Sequence, residues 1–183
     1  MTRPVAVLDA NVLYGIVPTD LLITLAIRGI YRPHWTDAIL DEAIRNITTN
    51  RPDLDPTDIA RRFELMNRAL PSATVPPAAD SVIAALTNDP GDRHVLAAAV
   101  SVGAEVIVTE NVRHFTPGAC APHGIVAMTL DSFISELVDD HESVFIEAVE
   151  EMAGRRRLPP TSPTGLLDIL HRYIPSTVER LRR

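Results

Sequence analysis

Short apolar runs, too brief to be helices, alternate with helical stretches along this chain, and that alternation restricts it to an α/β architecture. VAVL (Val5–Leu8), EVIVT (Glu105–Thr109) and IVAM (Ile125–Met128) read as buried strands. Helices are predicted at 19–30, from a Thr36 cap to about Thr49, from the Asp55-Pro56 pair to about Leu70, near 79–87, and from Asp89-Pro90 to Gly103. Thr129 caps a further helix that leads into a second, Glu-rich one ending near Gly154. Parallel strands need helical crossovers that cover the sheet, so the expected fold is a three-layer α/β/α sandwich with a mostly parallel sheet.

The chain of 183 residues favours one domain with a small appendage. The expected division is a body at 1–140 and a helical C-terminal extension at 141–183, with a linker near 154–163 (RRRLPPTSP) and short helices over 164–182 broken at Pro175. Charge supports a division near the linker. Residues 1–153 hold 10 arginines against 22 acids, a net of −12, whereas residues 154–183 hold 7 arginines against 2 acids, a net of +5. A chain cut near Gly154 is therefore expected to keep its sheet.

All 17 basic residues are arginine. Mechanisms that require a lysine are excluded, and the net charge of −7 argues against broad electrostatic binding to nucleic acid. The lone cysteine, Cys120, excludes an internal disulfide and a multi-cysteine metal site. No apolar run approaches the ~20 residues of a membrane span, and Asp9 interrupts the first one, so a soluble cytoplasmic protein is expected.

Acidic residues sit where open α/β sheets bind ligands, beyond the carboxyl ends of the strands. VLDAN places Asp9 at the end of the first strand with Asn11 in the turn after it. In TDAILDEAIRNI, Ile39, Leu40, Ala43, Ile44 and Ile47 form an apolar stripe, with Glu42 on its edge. In NDPGDRHVLAAA, Asp89 reads as an N-cap and Asp92 falls at the third position of a helix that is otherwise apolar all round. A carboxylate delivered to such an interior edge needs a metal or a cationic partner. AEVIVTENVRHF adds Thr109, Glu110 and Asn111 at another strand end, where only one of Glu110 and Asn111 can face the cleft and the phase favours Asn111. His94, beside Asp92, is an accessory candidate, and Thr109 can orient a carboxylate or a water. Clustered oxygen ligands suit a hard divalent cation, and such a site activates water and stabilises charge on a phosphodiester.

The order and wording of LDANVL, ILDE, DPGDRHVLAAA and IVTENVRHF over about residues 4–135 resemble a PIN domain, the nuclease fold of VapC-type toxins, in a longer subgroup with a helical C-terminal extension. The resemblance implies an Mg2+- or Mn2+-dependent endoribonuclease, the toxin of a type II toxin–antitoxin pair, acting on structured RNA such as tRNA or rRNA. Asp9, Glu42 and Asp92 match the family acids and would hold the metal; Asn111 would complete the site. His114 stands where the subgroup often has an aspartate, which questions a second metal site. A homodimer and a cognate antitoxin are implied too. Arg28, Arg32, Arg93 and Arg113 are candidates to steer the RNA, with Asn11, His94, Thr109 and Glu110 as accessory residues. Two other readings stay open. One is a PIN domain that binds RNA or protein without cutting. The other is an aspartyl-phosphate phosphatase using Asp9, disfavoured because that chemistry looks for a lysine.

Overall fold

The computed structural model describes residues 3–157 and 159–182. Its centre is a four-stranded sheet in the order β2-β1-β3-β4, formed by β1 (Val5–Leu8), β2 (Arg32–His34), β3 (Val106–Val108) and β4 (Val126–Met128). All pairings are parallel, with Ala6 opposite Pro33 on one side and Val106 on the other. The helices flanking the sheet are α1 (Ile16–Ile27), α2 (Asp37–Asn50), α3 (Pro56–Ala69), α4 (Asp80–Ala85), α5 (Arg93–Val102), α6 (Pro117–Cys120), α7 (Leu130–Arg155), α8 (Pro163–Leu170) and α9 (Pro175–Leu181). Strand β1 is central and its four residues are all buried, which explains why VAVL is an unbroken apolar run rather than an alternating one.

Local chemistry sets the helix starts. Thr36 caps α2 through its hydroxyl, which accepts the Ile39 N–H, and Asp55 caps α3 at Thr57 with Pro56 in the first turn. Gly103 takes the left-handed conformation (φ 62°) that closes α5. Strand β2 escapes sequence reading because it is three residues long and has Pro33 at its centre. Proline is tolerated there because β2 is an edge strand. Trp35, just beyond β2, is fully buried, and its indole N–H donates to Asn67 Oδ1 of α3 at 2.8 Å. Cys120 is buried as well, and burial pushes its thiol above the usual range, so it is a packing residue.

The C-terminal helices are not an appendage on a free linker. Helix α7 runs unbroken from β4 except for a kink at His141 (φ −137°, ψ 36°), and its second half packs on α1. Leu166, Leu170, Ile174 and Val178 are fully buried in the same hydrophobic core as the sheet. Two arginines of the basic segment reach acids of the body, Arg155 to Asp20 and Glu151 and Arg180 to Asp139, while Arg182 meets Asp168 within the segment. The buried side chains of α8 and α9 make these helices part of the core, so a cut near Gly154 removes core. Leu158 in the linker and Arg183 at the end lie outside the described residues.

Asp131, in the first turn of α7, ties this assembly together. Its carboxylate accepts the N–H groups of Ser176 (3.0 Å) and Thr177 (3.2 Å) and the Thr177 hydroxyl (3.1 Å). It thereby caps α9, whose own N-cap residue, Ile174, has no side chain to offer. Burial alone would raise the Asp131 pKa, but these hydrogen bonds overcome it and hold the carboxyl below the usual aspartate range. Asp131→Ala should cost about 1–2 kcal/mol in urea unfolding at pH 7. A lowered folded-state pKa gives stability that is present above the unfolded value and lost as pH falls through the folded one. The difference between the two proteins should therefore shrink in strong acid.

Candidate metal centre

Asp9 is the first residue past β1, and Thr109 the first past β3. Their backbones continue the ladder: Asp9 N–H donates to Val108 O at 3.0 Å and Thr109 N–H to Met128 O at 2.8 Å. Both side chains therefore emerge together at the carboxyl edge of the sheet, and both residues are buried. Asp9 Oδ1 accepts the Ala10 N–H at 2.7 Å, while Oδ2 accepts Asn11 Nδ2 and Thr109 Oγ1, each at 2.7 Å. The Thr109 oxygen also accepts Asn11 Nδ2 and the Asn111 N–H, each at 3.0 Å. A hydroxyl has one proton and two lone pairs; here the proton goes to Asp9 and both lone pairs are used. Asn11 Oδ1 accepts the Glu110 N–H at 3.0 Å, which fixes the orientation of that amide.

Asp9 is only 2% exposed. Burial pushes its pKa above the ordinary value; hydrogen bonds from Thr109 and Ala10 pull it back, and the charges of Asp92 and Glu42 push it up again. Asp92 and Glu42 are thus both close enough to act on Asp9. No arginine donates to Asp9 among the described residues. The turn that follows is fixed from outside by Arg62 of α3, which donates to the carbonyls of Leu13 (2.6 Å), Tyr14 (3.3 Å) and Gly15 (3.1 Å) and to Thr19 Oγ1 (2.6 Å). Burial pushes this guanidinium down to about 10, against the raising charge of Asp20.

Glu42 lies half-buried on the edge of α2, with Oε2 3.5 Å from His94 Nε2. His94 Nδ1 is 3.0 Å from Gly91 O, and since a carbonyl only accepts, Nδ1 carries the proton. Asp92 departs from its expected place. The stretch Pro90–Asp92 is a 3₁₀ turn and α5 begins at Arg93, so Asp92 precedes the α-helix and caps nothing. Its side chain swings sideways, with Oδ2 2.6 Å from His114 Nδ1. His114 Nε2 accepts from Arg113 Nε at 3.3 Å; Nδ1 is therefore the protonated nitrogen and donates to Asp92. Asp89 caps the 3₁₀ turn at Gly91 (3.0 Å), and one ligand atom each from Asp89, Asp92 and His114 lies within 4.8 Å of the others.

The remaining candidates separate. Glu110 turns away, and its Oε1 accepts the Leu130 N–H at the start of α7 (3.1 Å). Asn111 is half-buried, and its side chain makes no hydrogen bond among the described residues. Arg93 and Arg113 stand on the rim: Arg93 Nε donates to Asn88 O at 3.4 Å, and Arg113 contacts His114. Arg28 and Arg32 are a correction. Arg28 caps the far end of α1 and is held by Glu147 (2.7 Å) and Glu151 (2.9 Å), while Arg32 opens β2 in register with Val5. In a parallel sheet that places both at the amino edge, opposite Asp9. Sequence reading passed over Asp89 and His114 as site residues. The only signal for His114 is its place ahead of Phe115, and the Asp89 signal is hidden by its capping role.

Asp9, with Glu42 and Asp92 acting on it, gathers negative charge at the carboxyl edge of the sheet. That donor set fits a divalent cation, which would supply the missing positive charge.

The PIN domain family profile matches residues 5–113, and the VapC50 C-terminal domain profile matches residues 130–183. A Mycobacterium tuberculosis protein named "Putative ribonuclease VapC50" is 39% identical over 104 residues, 57% of this chain and 62% of that protein. The match thus spans less than two thirds of the relative's length.

Thr109→Val keeps the shape but removes the hydroxyl that serves Asp9, Asn11 and Asn111. It should cost about 1–3 kcal/mol in denaturant unfolding and weaken Mn2+ binding about 10–100-fold by calorimetry. Unchanged Mn2+ affinity would show that Thr109 does not hold a metal ligand.

Proposed function

This chain belongs to the PIN-domain family, in its VapC-type form with a C-terminal extension, and on that premise we propose that it is an Mg2+- or Mn2+-dependent endoribonuclease. The observation that carries the reading is the buried Asp9 carboxylate, on which Asp92 and Glu42 both act and to which no arginine donates among the described residues. A divalent cation bound there supplies an activated water and neutralises charge on the phosphodiester.

The chain's own residues do the rest. Asp9, Glu42 and Asp92 hold the ion. Thr109 and Asn11 lock the Asp9 carboxylate in one orientation, so that little reorganisation is needed on binding. His94, anchored on Gly91, stands beside Glu42, and Asn111 offers a neutral oxygen at the same edge. Arg93 and Arg113 on the rim meet the phosphate backbone. In this reading residues 1–140 carry the chemistry, and 141–183 brace α1 and α7 behind it.

The RNA is structured, of the tRNA or rRNA kind, and the protein is the toxin of a type II pair: a cytoplasmic homodimer neutralised by an antitoxin whose arginine-bearing arm enters the acidic cleft. Among the described residues no helix is long and apolar enough to cross a membrane. A second reading, an RNA-binding PIN domain that does not cut, is favoured by Asn111 and His114, which leave no carboxylate at those two positions of the corner after β3.

Asp9→Asn separates them. The variant should stay folded by circular dichroism and lose at least about a hundredfold of the wild type's RNA cleavage in Mn2+. Equal cleavage by both proteins would remove Asp9 from the site, and RNA binding without cleavage by the wild type would favour the second reading.

A further inference from the structure

Beside the three acids described above, the carboxyl edge carries a nitrogen. His114 sits in the short 3₁₀ turn after β3 (Val112–His114), half-buried, with its Nδ1 2.6 Å from Asp92 Oδ2. Asp89 reaches the same point from the turn before α5, so that two carboxylates and one imidazole present ligand atoms within 4.8 Å of one another. The turn is held against this corner by its backbone: Asp89 N–H donates to His114 O at 3.3 Å, and Asp92 N–H to Asp89 O at 3.0 Å. Asn88, the residue before Asp89, is 4% exposed, and its side-chain oxygen and nitrogen are both buried with no partner among the described residues. Asp92 is common to both groupings, acting on Asp9 from one side and touching His114 on the other.

We propose that His114 gives an imidazole nitrogen to the ion bound by Asp92, with Asp89 as its neighbour, and that this nitrogen turns the chain's metal preference from Mg2+ toward Mn2+, Co2+ or Zn2+. The inference rests on the metal-dependent reading above. Magnesium demands oxygen ligands in near-ideal octahedral geometry, whereas the later divalent ions accept imidazole readily. Nδ1 carries a proton and donates it to Asp92. Ligation needs the Nδ1 lone pair, so the proton moves to Nε2 and the ring stays neutral. Nε2 is released by giving up the 3.3 Å approach of Arg113, an exposed side chain and its hydrogen-bond donor among the described residues.

Pulsed electron paramagnetic resonance of Mn2+ bound to the full chain tests the ligand directly, because a coordinated imidazole nitrogen couples to the ion. The wild type should show that 14N coupling; His114→Asp and His114→Gln should lose it; His94→Gln, whose ring lies 3.5 Å from Glu42, should keep it. Calorimetric titration with Mn2+ and Mg2+ gives a second reading: the preference for Mn2+ should fall about tenfold or more in His114→Asp. Mn2+ binding without 14N coupling, or coupling that survives in both His114 variants, overturns the proposal while leaving the metal-dependent reading intact. No binding of Mn2+ by the wild type overturns both.

Discussion

A carboxylate buried at the end of the central strand is the constraint around which the rest of the structure is arranged. Asp9 cannot move, because its backbone is still part of the β1–β3 ladder and its two oxygens are held by Ala10, Asn11 and Thr109. Burying a charge in this way is costly unless a partner of opposite sign is present, and the nearest ionisable groups that act on it, Asp92 and Glu42, have the same sign. The fold thus holds together an arrangement that electrostatics alone would push apart. Rigid surroundings supply the restraint: fully buried β1 and β3, the apolar α5, and Arg62 clamping the carbonyls of the turn that leaves the site.

The C-terminal helices extend that restraint. Helix α7 begins where β4 ends, its first turn is met by the Glu110 carboxylate, and its Asp131 caps α9. One corner of the site is tied to the start of α7 through Glu110, whose backbone N–H donates to Asn11 and whose carboxylate accepts the Leu130 N–H. On the opposite side, Arg28 joins α1 to the second half of α7 through Glu147 and Glu151. Exposed ion pairs of this kind are individually worth little, but the buried side chains of α8 and α9 beneath them make the extension part of one core.

Much of this was legible in the sequence where a local rule decides the outcome. The unbroken apolar run before Asp9, the Thr36 and Asp55 caps, and the stripe that leaves Glu42 on an edge follow from periodicity and capping chemistry alone. The edge strand β2 was not legible, because three residues around a proline carry no pattern. Asp92 sits one step earlier than the sequence pattern indicates: the Pro90 start reads as an α-helix, whereas the chain takes a 3₁₀ turn first and the Asp92 carboxylate meets His114, a contact no local window contains. The roles of Arg28 and the tail arginines depend on acids more than a hundred residues away or on neighbouring helices, which no local window contains.

The central claim is that the buried carboxylate at the β1 end is completed by a divalent cation. Thermal unfolding of the full chain followed across a Mn2+ titration at neutral pH tests it most directly. An ion that binds only the folded state should raise the melting temperature steadily with the logarithm of its concentration above the dissociation constant, with a stabilisation of about 2.7 kcal/mol at a hundred times that constant. A melting temperature that stays flat across the titration, with Mn2+ and with Mg2+ alike, would contradict it.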